Sequence, residues 1–309
     1  MLIGFLVAIV AIVFLVAVVV LVVIAAMLLA YVGLAWYAME RVTRRRPYTP
    51  ASPADLGLPF EEVSFPARDG LTLRGWFIPA ADPTARRTVI FGHGHAGSMD
   101  PDLKYVPHFR ARGFNVLMFD FRGHGRSDGH YTSMGCYERR DMLGAVDYLE
   151  QRGLGPIGVL GFSMGGAVGI GAAGECPAIR ALVSDGAFAR VSETFQQGGR
   201  RMGVPGWAIA LVSPLTAWLL QRRLGCRLSE ADPIRWIGRI SPRPVFLIHG
   251  EADANISVAQ VQAMYEAAGE PKELWIAPGA GHRQVDDVYP EEYLARVLGF
   301  FERWLPDEG

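Results

Sequence analysis

A serine with a glycine two places away on either side can sit on a turn too tight for bulkier neighbours, with its hydroxyl exposed. The chain holds this pattern twice, as Gly161-Phe162-Ser163-Met164-Gly165 and as Gly125-Arg126-Ser127-Asp128-Gly129. The turn works only where a strand enters it and a helix leaves it. An apolar run at 157–160 precedes Ser163 and a small-residue helical run at 164–173 follows it. Ser127 instead runs into Asp128, Gly129 and His130, a loop composition. Ser163 is therefore the expected nucleophile.

A serine hydroxyl attacks well only when a base takes its proton. In strand–turn–helix enzymes the acid and then the histidine follow the serine in the chain. Only His249 and His282 follow Ser163. His249 ends an apolar strand beside Gly250, which suits a structural role. His282 lies in a glycine-rich loop, Pro278-Gly279-Ala280-Gly281-His282, after the last strand, and is the expected base. Asp253, just beyond the strand at 245–248, is the expected acid, with Asp185 as the alternative. Asp232 precedes Pro233 and reads as a turn or cap. The oxyanion of an acyl intermediate needs two N–H donors. They are expected from the backbone of Met164 and from that of His95, in the loop after the strand at 88–91.

Other chemistries fit less well. His93-Gly94-His95 with Asp100 is too few ligands for a metal site, which needs three or four convergent ones. No metal and no cofactor is expected. Cys136, Cys176 and Cys226 are widely separated without a CxxC pair, so three free, buried thiols are expected rather than a disulfide. No basic stripe points to a nucleic acid partner.

The elements that must position these residues alternate. Runs at 62–66 and 71–77, joined by Arg68-Asp69-Gly70, read as a hairpin. Further strands are expected at 88–91, 115–119, 157–160, 181–183, 245–248 and 273–276. Helices are expected at 102–112, 137–151, 164–173, 258–268 and 290–304. This alternation means a mostly parallel sheet covered by helices on both faces. Residues 190–241 break the rhythm with Trp207, Pro214 and Trp236 but no strand, and read as a helical cap inserted over the site.

The chain of 309 residues is half hydrophobic, with a mean hydropathy of +0.20, and the excess is local. Residues 1–39 carry no charge, and all but Gly4 and Gly33 are apolar or aromatic. About 20 helical residues cross a bilayer core, so a single transmembrane anchor with an overhang is expected, with Tyr31, Trp36 and Tyr37 at the interface. A cleaved signal peptide fits poorly, because no basic stretch precedes the apolar run. Arg41, Arg44, Arg45 and Arg46 follow the anchor. Residues 1–46 carry +3 against −4 for the remainder, and those arginines predict a cytoplasmic catalytic domain at the cell membrane. The expected organisation is an anchor at 1–39, a basic, proline-rich linker at 40–59 that includes Pro47, Pro50, Pro53 and Pro59, and one domain at 60–309.

Taken together these motifs resemble the α/β-hydrolase superfamily over about residues 60–305. The likeness is to its serine aminopeptidase-like and membrane-anchored esterase or thioesterase branches. It rests on Gly92-His93-Gly94-His95, on the loop from Asp120 to Ser127, on the Ser163 turn, on His249-Gly250 with Asp253, and on Gly281-His282. The resemblance implies an α/β-hydrolase fold of eight strands, a triad of Ser163, Asp253 and His282, no cofactor, and a structural loop around Ser127. His95 departs from the family, which often has Asn there. The implied activity is serine hydrolysis of a carboxylic ester through an acyl-enzyme, on a small-molecule or lipid acyl substrate. A thioesterase or amidase on the same triad and a non-catalytic binding protein of the same fold are the alternatives.

Overall fold

The structure, a computed structural model, describes residues 2–46, 51–95 and 97–306. In chain order it begins with helix α1 (Leu2–Thr43) and strands β1 (Glu61–Pro66), β2 (Thr72–Ile78) and β3 (Thr88–Gly92). Helix α2 (Val106–Ala111), strand β4 (Asn115–Phe119), helix α3 (Glu138–Gln151), strand β5 (Ile157–Phe162), helix α4 (Met164–Glu175) and strand β6 (Ile179–Asp185) follow. Next come helices α5 (Val191–Arg201) and α6 (Gly206–Leu224), strand β7 (Val245–Gly250), helix α7 (Val258–Ala267) and strand β8 (Lys272–Ala277). Helices α8 (Val285–Val288) and α9 (Pro290–Trp304) complete the chain.

The strands form one eight-stranded sheet in the order β1-β2-β4-β3-β5-β6-β7-β8. β1 pairs antiparallel with β2, and β2 with β4. The other pairs are parallel. Successive side chains on a strand point to opposite faces, and the core divides accordingly. Leu117, Phe119, Val159 and Leu247 pack on one face, under α3 and α4. Val116, Met118, Leu160 and Ile248 pack on the other with Phe109 and Phe301. This is the α/β-hydrolase fold that the motifs imply.

The connections reverse direction across the sheet at β3, with β4 on one side of it and β5 on the other. Such a switch point opens a crevice at the carboxyl ends of its strands. The loops that carry His95 and Ser163 leave β3 and β5 there, where Gly92 pairs with Gly161.

Helix α1 is 42 residues long, with a mean hydropathy of 3.7 over its most apolar stretch, long and apolar enough to cross a membrane. Its side chains are exposed as far as Ala30. Beyond that one face is covered: Ala35, Met39 and Thr43 are buried at a spacing of four, which keeps them on one side of a helix. Helix α6 lies along this face. The Tyr31 hydroxyl donates to Leu211 O at 3.0 Å, and further on Arg223 pairs with Glu40, so the two helices run parallel.

Two expectations differ from this. The helix does not stop at residue 39 but continues through Glu40, Arg41 and Val42 to Thr43, and the segment after it is docked rather than free. The Arg46 N–H donates to Gly123 O at 2.9 Å, and the Arg45 guanidinium donates to the carbonyls of Gly125, Ser127 and Gly129. Pro47 and Pro50 lie outside the described residues, and Pro53–Leu56 is a 3-10 turn. The second difference concerns the thiols. Cys136 and Cys226 form a disulfide, with Cα atoms 6.7 Å apart, and Cys176 alone is free and buried. Their separation of 90 residues hid this. Helix α6 ends against the start of α3, where the Tyr137 hydroxyl donates to Leu224 O at 2.8 Å, and so brings the two cysteines together. The cross-link ties the 190–241 insertion, which holds α5, α6 and three short 3-10 turns, to the body of the domain.

Candidate active site

Ser163 is the hinge between β5 and α4, with φ 51° and ψ −112°. A non-glycine residue in that region is strained by roughly 1–3 kcal/mol. The surroundings enforce it. A Cβ on Gly165 would fall 1.9 Å from the carbonyl oxygen of Gly92, so only glycine lets the start of α4 approach β3. The result lifts Ser163 Oγ out of the sheet.

His282 Nε2 lies 3.0 Å from Ser163 Oγ, and His282 Nδ1 lies 2.6 Å from Asp253 Oδ2. The second distance makes Nδ1 the protonated nitrogen of the neutral ring and leaves Nε2 free to accept the serine proton. Asp253 is buried, and its other oxygen accepts the N–H of Asn255 at 2.7 Å and of Ile256 at 3.0 Å. Burial alone would raise its pKa. The bond and charge of His282 and the two N–H donors outweigh burial and hold the carboxyl below its usual range.

His249 is fully buried and bonds through Nε2 to Ile256 O at 3.0 Å. It props the loop that carries Asp253. Asp185 is engaged elsewhere, as acceptor of the Tyr293 hydroxyl at 3.0 Å. Asp232 caps α5 by accepting the Val191 N–H at 2.9 Å. Ser127 is buried and takes no part in this cluster. Its Oγ donates to Asp120 O and accepts the N–H of Arg74 at 2.9 Å, so it braces the loop after β4.

Met164 and His95 line the cavity beside Ser163. A Cβ on Gly94 would meet that of Ser163 at 3.6 Å, which places the loop after β3 directly across from the nucleophile. The His95 carbonyl lies 3.1 Å from His124 Nε2, and the ring of His95 donates from Nε2 to Val42 O at 2.7 Å. His93 accepts the Phe121 N–H at Nε2 and donates from Nδ1 to Gly94 O. The imidazoles weighed as metal ligands are thus engaged with backbone. Among the described residues no group of three metal-ligating side chains converges.

The cavity above Ser163 has a volume of about 560 Å³, within the range of small-molecule sites. Phe188, Phe195, Met134 and Met202 supply apolar walls, the second and fourth from the cap helix α5 and its end. Arg41, Val42 and Arg46, at the end of the first helix, line it as well. The sequence holds no sign of this, since contact between residues 41–46 and the Ser163 loop is fixed only by the packed fold. Arg283 was also missed. It follows His282 with φ 59°, stacks its guanidinium on Phe162 and pairs with Asp102 at 2.8 Å.

Residues 83–243 match the family described as serine aminopeptidase, S33. The protein YfhR of Escherichia coli strain K12 is 32% identical over 251 residues, covering 77% of this chain and 80% of its own. YqkD of Bacillus subtilis is 31% identical, covering 78% and 80%. Among solved structures, the Pyrococcus furiosus esterase Pf2001 superposes with a TM-score of 0.71 at 31% identity, over 85% of this chain and 98% of that one.

Proposed function

The chain belongs to the serine aminopeptidase, S33, family of α/β-hydrolases, and from that premise we propose that it is a membrane-anchored serine hydrolase of carboxylic esters. The observation that carries this reading is the hydrogen-bonded series Ser163–His282–Asp253 at the mouth of a cavity, with the serine on a strained hinge. A protein that only binds has no use for that strain. The esterase Pf2001 at 31% identity supports an ester as the bond cleaved.

In this reading His282 Nε2 takes the Ser163 proton as Oγ attacks the acyl carbon. The N–H groups of Met164 and His95 face the oxygen that becomes negative, and Asp253 stabilises the imidazolium. The tetrahedral intermediate collapses, and the alcohol leaves with the proton from His282. Water, deprotonated by the same ring, then attacks the acyl-serine and releases a carboxylic acid and free Ser163. Thioesters and amides would follow the same course with a thiol or amine leaving.

The anchor gives the substrate a location. Helices α1 and α6 run parallel, and Trp207 is one turn nearer the apolar end than Leu211, which meets Tyr31. Met202, Trp207 and Leu211 are all more than half exposed. Met202 also lines the cavity, and these exposed apolar side chains on the elements next to a proposed membrane helix suit a lipid or another acyl compound drawn from the bilayer. Four arginines after the anchor favour a cytoplasmic domain. The Cys136–Cys226 disulfide favours the opposite, oxidising side. Protease protection in sealed spheroplasts decides between them.

The test of the reading is the Ser163→Ala variant, assayed on 4-nitrophenyl esters of short and long acids. A loss of roughly 10⁴-fold or more in kcat is expected, together with loss of labelling by a fluorophosphonate. Unchanged turnover, or labelling at Ser127, overturns it.

A further inference from the structure

The wall that α1 and the residues after it contribute to the cavity is positively charged, and no carboxylate among the described residues pairs with it. Arg41 and Arg46 line the same cavity as Ser163 and His282. The carboxylates nearby are engaged, Glu40 with Arg223 and Asp102 with Arg283. Among the described residues neither Arg41 nor Arg46 pairs with a carboxylate. Arg46 Nη2 donates to Arg41 O at 3.1 Å and approaches the His95 ring at 3.4 Å, while its Nε is buried with no partner among the described residues. Burial, with Arg44 and Arg41 close by, pulls the Arg46 pKa below its ordinary value, as in a site short of negative charge.

Two ordinary roles for such arginines cover only part of this. Cations at a helix carboxyl end complement its dipole, and cations beside a membrane helix meet lipid headgroups. Both suit Arg41 and Arg44, which are exposed. Arg46 lies three residues past the helix, held by its N–H to Gly123 O, with its side chain in the cavity wall. A guanidinium presents a planar fork of donors that matches phosphate and carboxylate oxygens.

We propose that Arg46, with Arg41, forms an anion subsite of the active-site cavity, so that the substrate is an acyl compound carrying a phosphate or carboxylate close to its scissile bond. This rests on the serine-hydrolase reading above and narrows it. The same wall repels an ammonium group, which disfavours a peptide with a free amino terminus despite the family's description.

Two matched substrate pairs test this with the full-length protein in detergent. Hexanoylglycerol against hexanoylglycerol phosphate puts the anion on the alcohol side. The 4-nitrophenyl ester of hexanoate against the 4-nitrophenyl half-ester of hexanedioate puts it on the acyl side. In one pair the wild type prefers the anionic member, and the preference weakens as ionic strength rises. Arg46→Gln lowers that ratio of kcat/KM on the order of tenfold, and Arg46→Lys restores part of it. No preference in either pair, or a ratio indifferent to both salt and Arg46→Gln, overturns the subsite. If Arg46→Gln does not fold, the wild-type ratio and its salt dependence decide alone. Repeating the successful pair as oleoyl compounds in phosphatidylcholine vesicles tells a headgroup from a free anion: a preference larger in vesicles assigns the subsite to a lipid headgroup, and one kept only by monomers to a soluble anion. The two levels of failure separate cleanly. If neither neutral ester is cleaved, the hydrolase reading falls. If both are cleaved through Ser163 without an anionic preference, only the subsite falls.

Discussion

The hydroxyl of Tyr293 donates to Asp185 Oδ2 at 3.0 Å, so the carboxylate that ends β6 is claimed by α9 and not by His282. His282 instead donates its Nδ1–H to Asp253 Oδ2 at 2.6 Å, on the loop after the next strand. Two aspartates that the sequence leaves as rivals are thereby given different work.

Exchange of each for asparagine separates them. Asp253→Asn should lower kcat for a 4-nitrophenyl ester roughly 10⁴-fold with little change in the fold, because an amide cannot hold the imidazole in its working tautomer. Asp185→Asn should leave the rate within about tenfold and lower Tm, since Arg283, 4.0 Å away and partly buried, loses a balancing charge. Steady-state kinetics and thermal unfolding of both variants are the measurement. A rate loss confined to Asp185→Asn would transfer the acid's role to it.

The ring of His95 should make stability depend on pH in a known direction. Burial first, then the charges of Arg46 and His124, push its pKa down to about 4 from the ordinary 6.5. Between those values the unfolded chain binds a proton that the folded chain refuses. The stabilisation is therefore complete above pH 6.5 and is lost as pH falls toward 4. In His95→Asn the fall in unfolding free energy across that window should be shallower than in the wild type. Parallel curves for the two proteins would refute the assignment.

The Cys136–Cys226 bond should be visible as a thiol count. Unfolded without reductant, the protein should expose one reactive thiol, that of Cys176, and after reduction three. Cys226→Ser should destabilise the domain by about 2–4 kcal/mol, as loss of a long-loop cross-link does. Three thiols before reduction would show the pair to be open.

What could be read from the sequence, and what could not, divides by range. All eight strands lie where short apolar runs between turn residues put them, and Ser163 stands out from Ser127 because of the strand and helix on either side of it. Those are local signals. The pairing of His282 with Asp253 was legible too, because chain order and strand ends constrain it even without coordinates. Contacts between distant segments were not. The Cys136–Cys226 bond depends on where α6 ends, and Arg46 reaches the cavity only because the loop around Gly123 holds it there. Proline and arginine composition suggested a tether at 40–59. The side chain of Arg45 turns its start into a docked strap, with three backbone carbonyls as its partners.

The unbroken course of α1 from Tyr31 to Val42 has a metrical consequence. Those residues lie on one helix, and at 1.5 Å per residue they span about 17 Å. Tyr31 begins the aromatic rim of the apolar stretch, which continues to Tyr37, and Val42 touches the loop that faces Ser163. If α1 spans a bilayer, as proposed above, the helix is a ruler that sets the elevation of the nucleophile over the bilayer surface at one value. On that reading an acyl group still rooted in the membrane would have to climb that distance to be cut, and chain length would be gauged by the anchor as much as by the pocket.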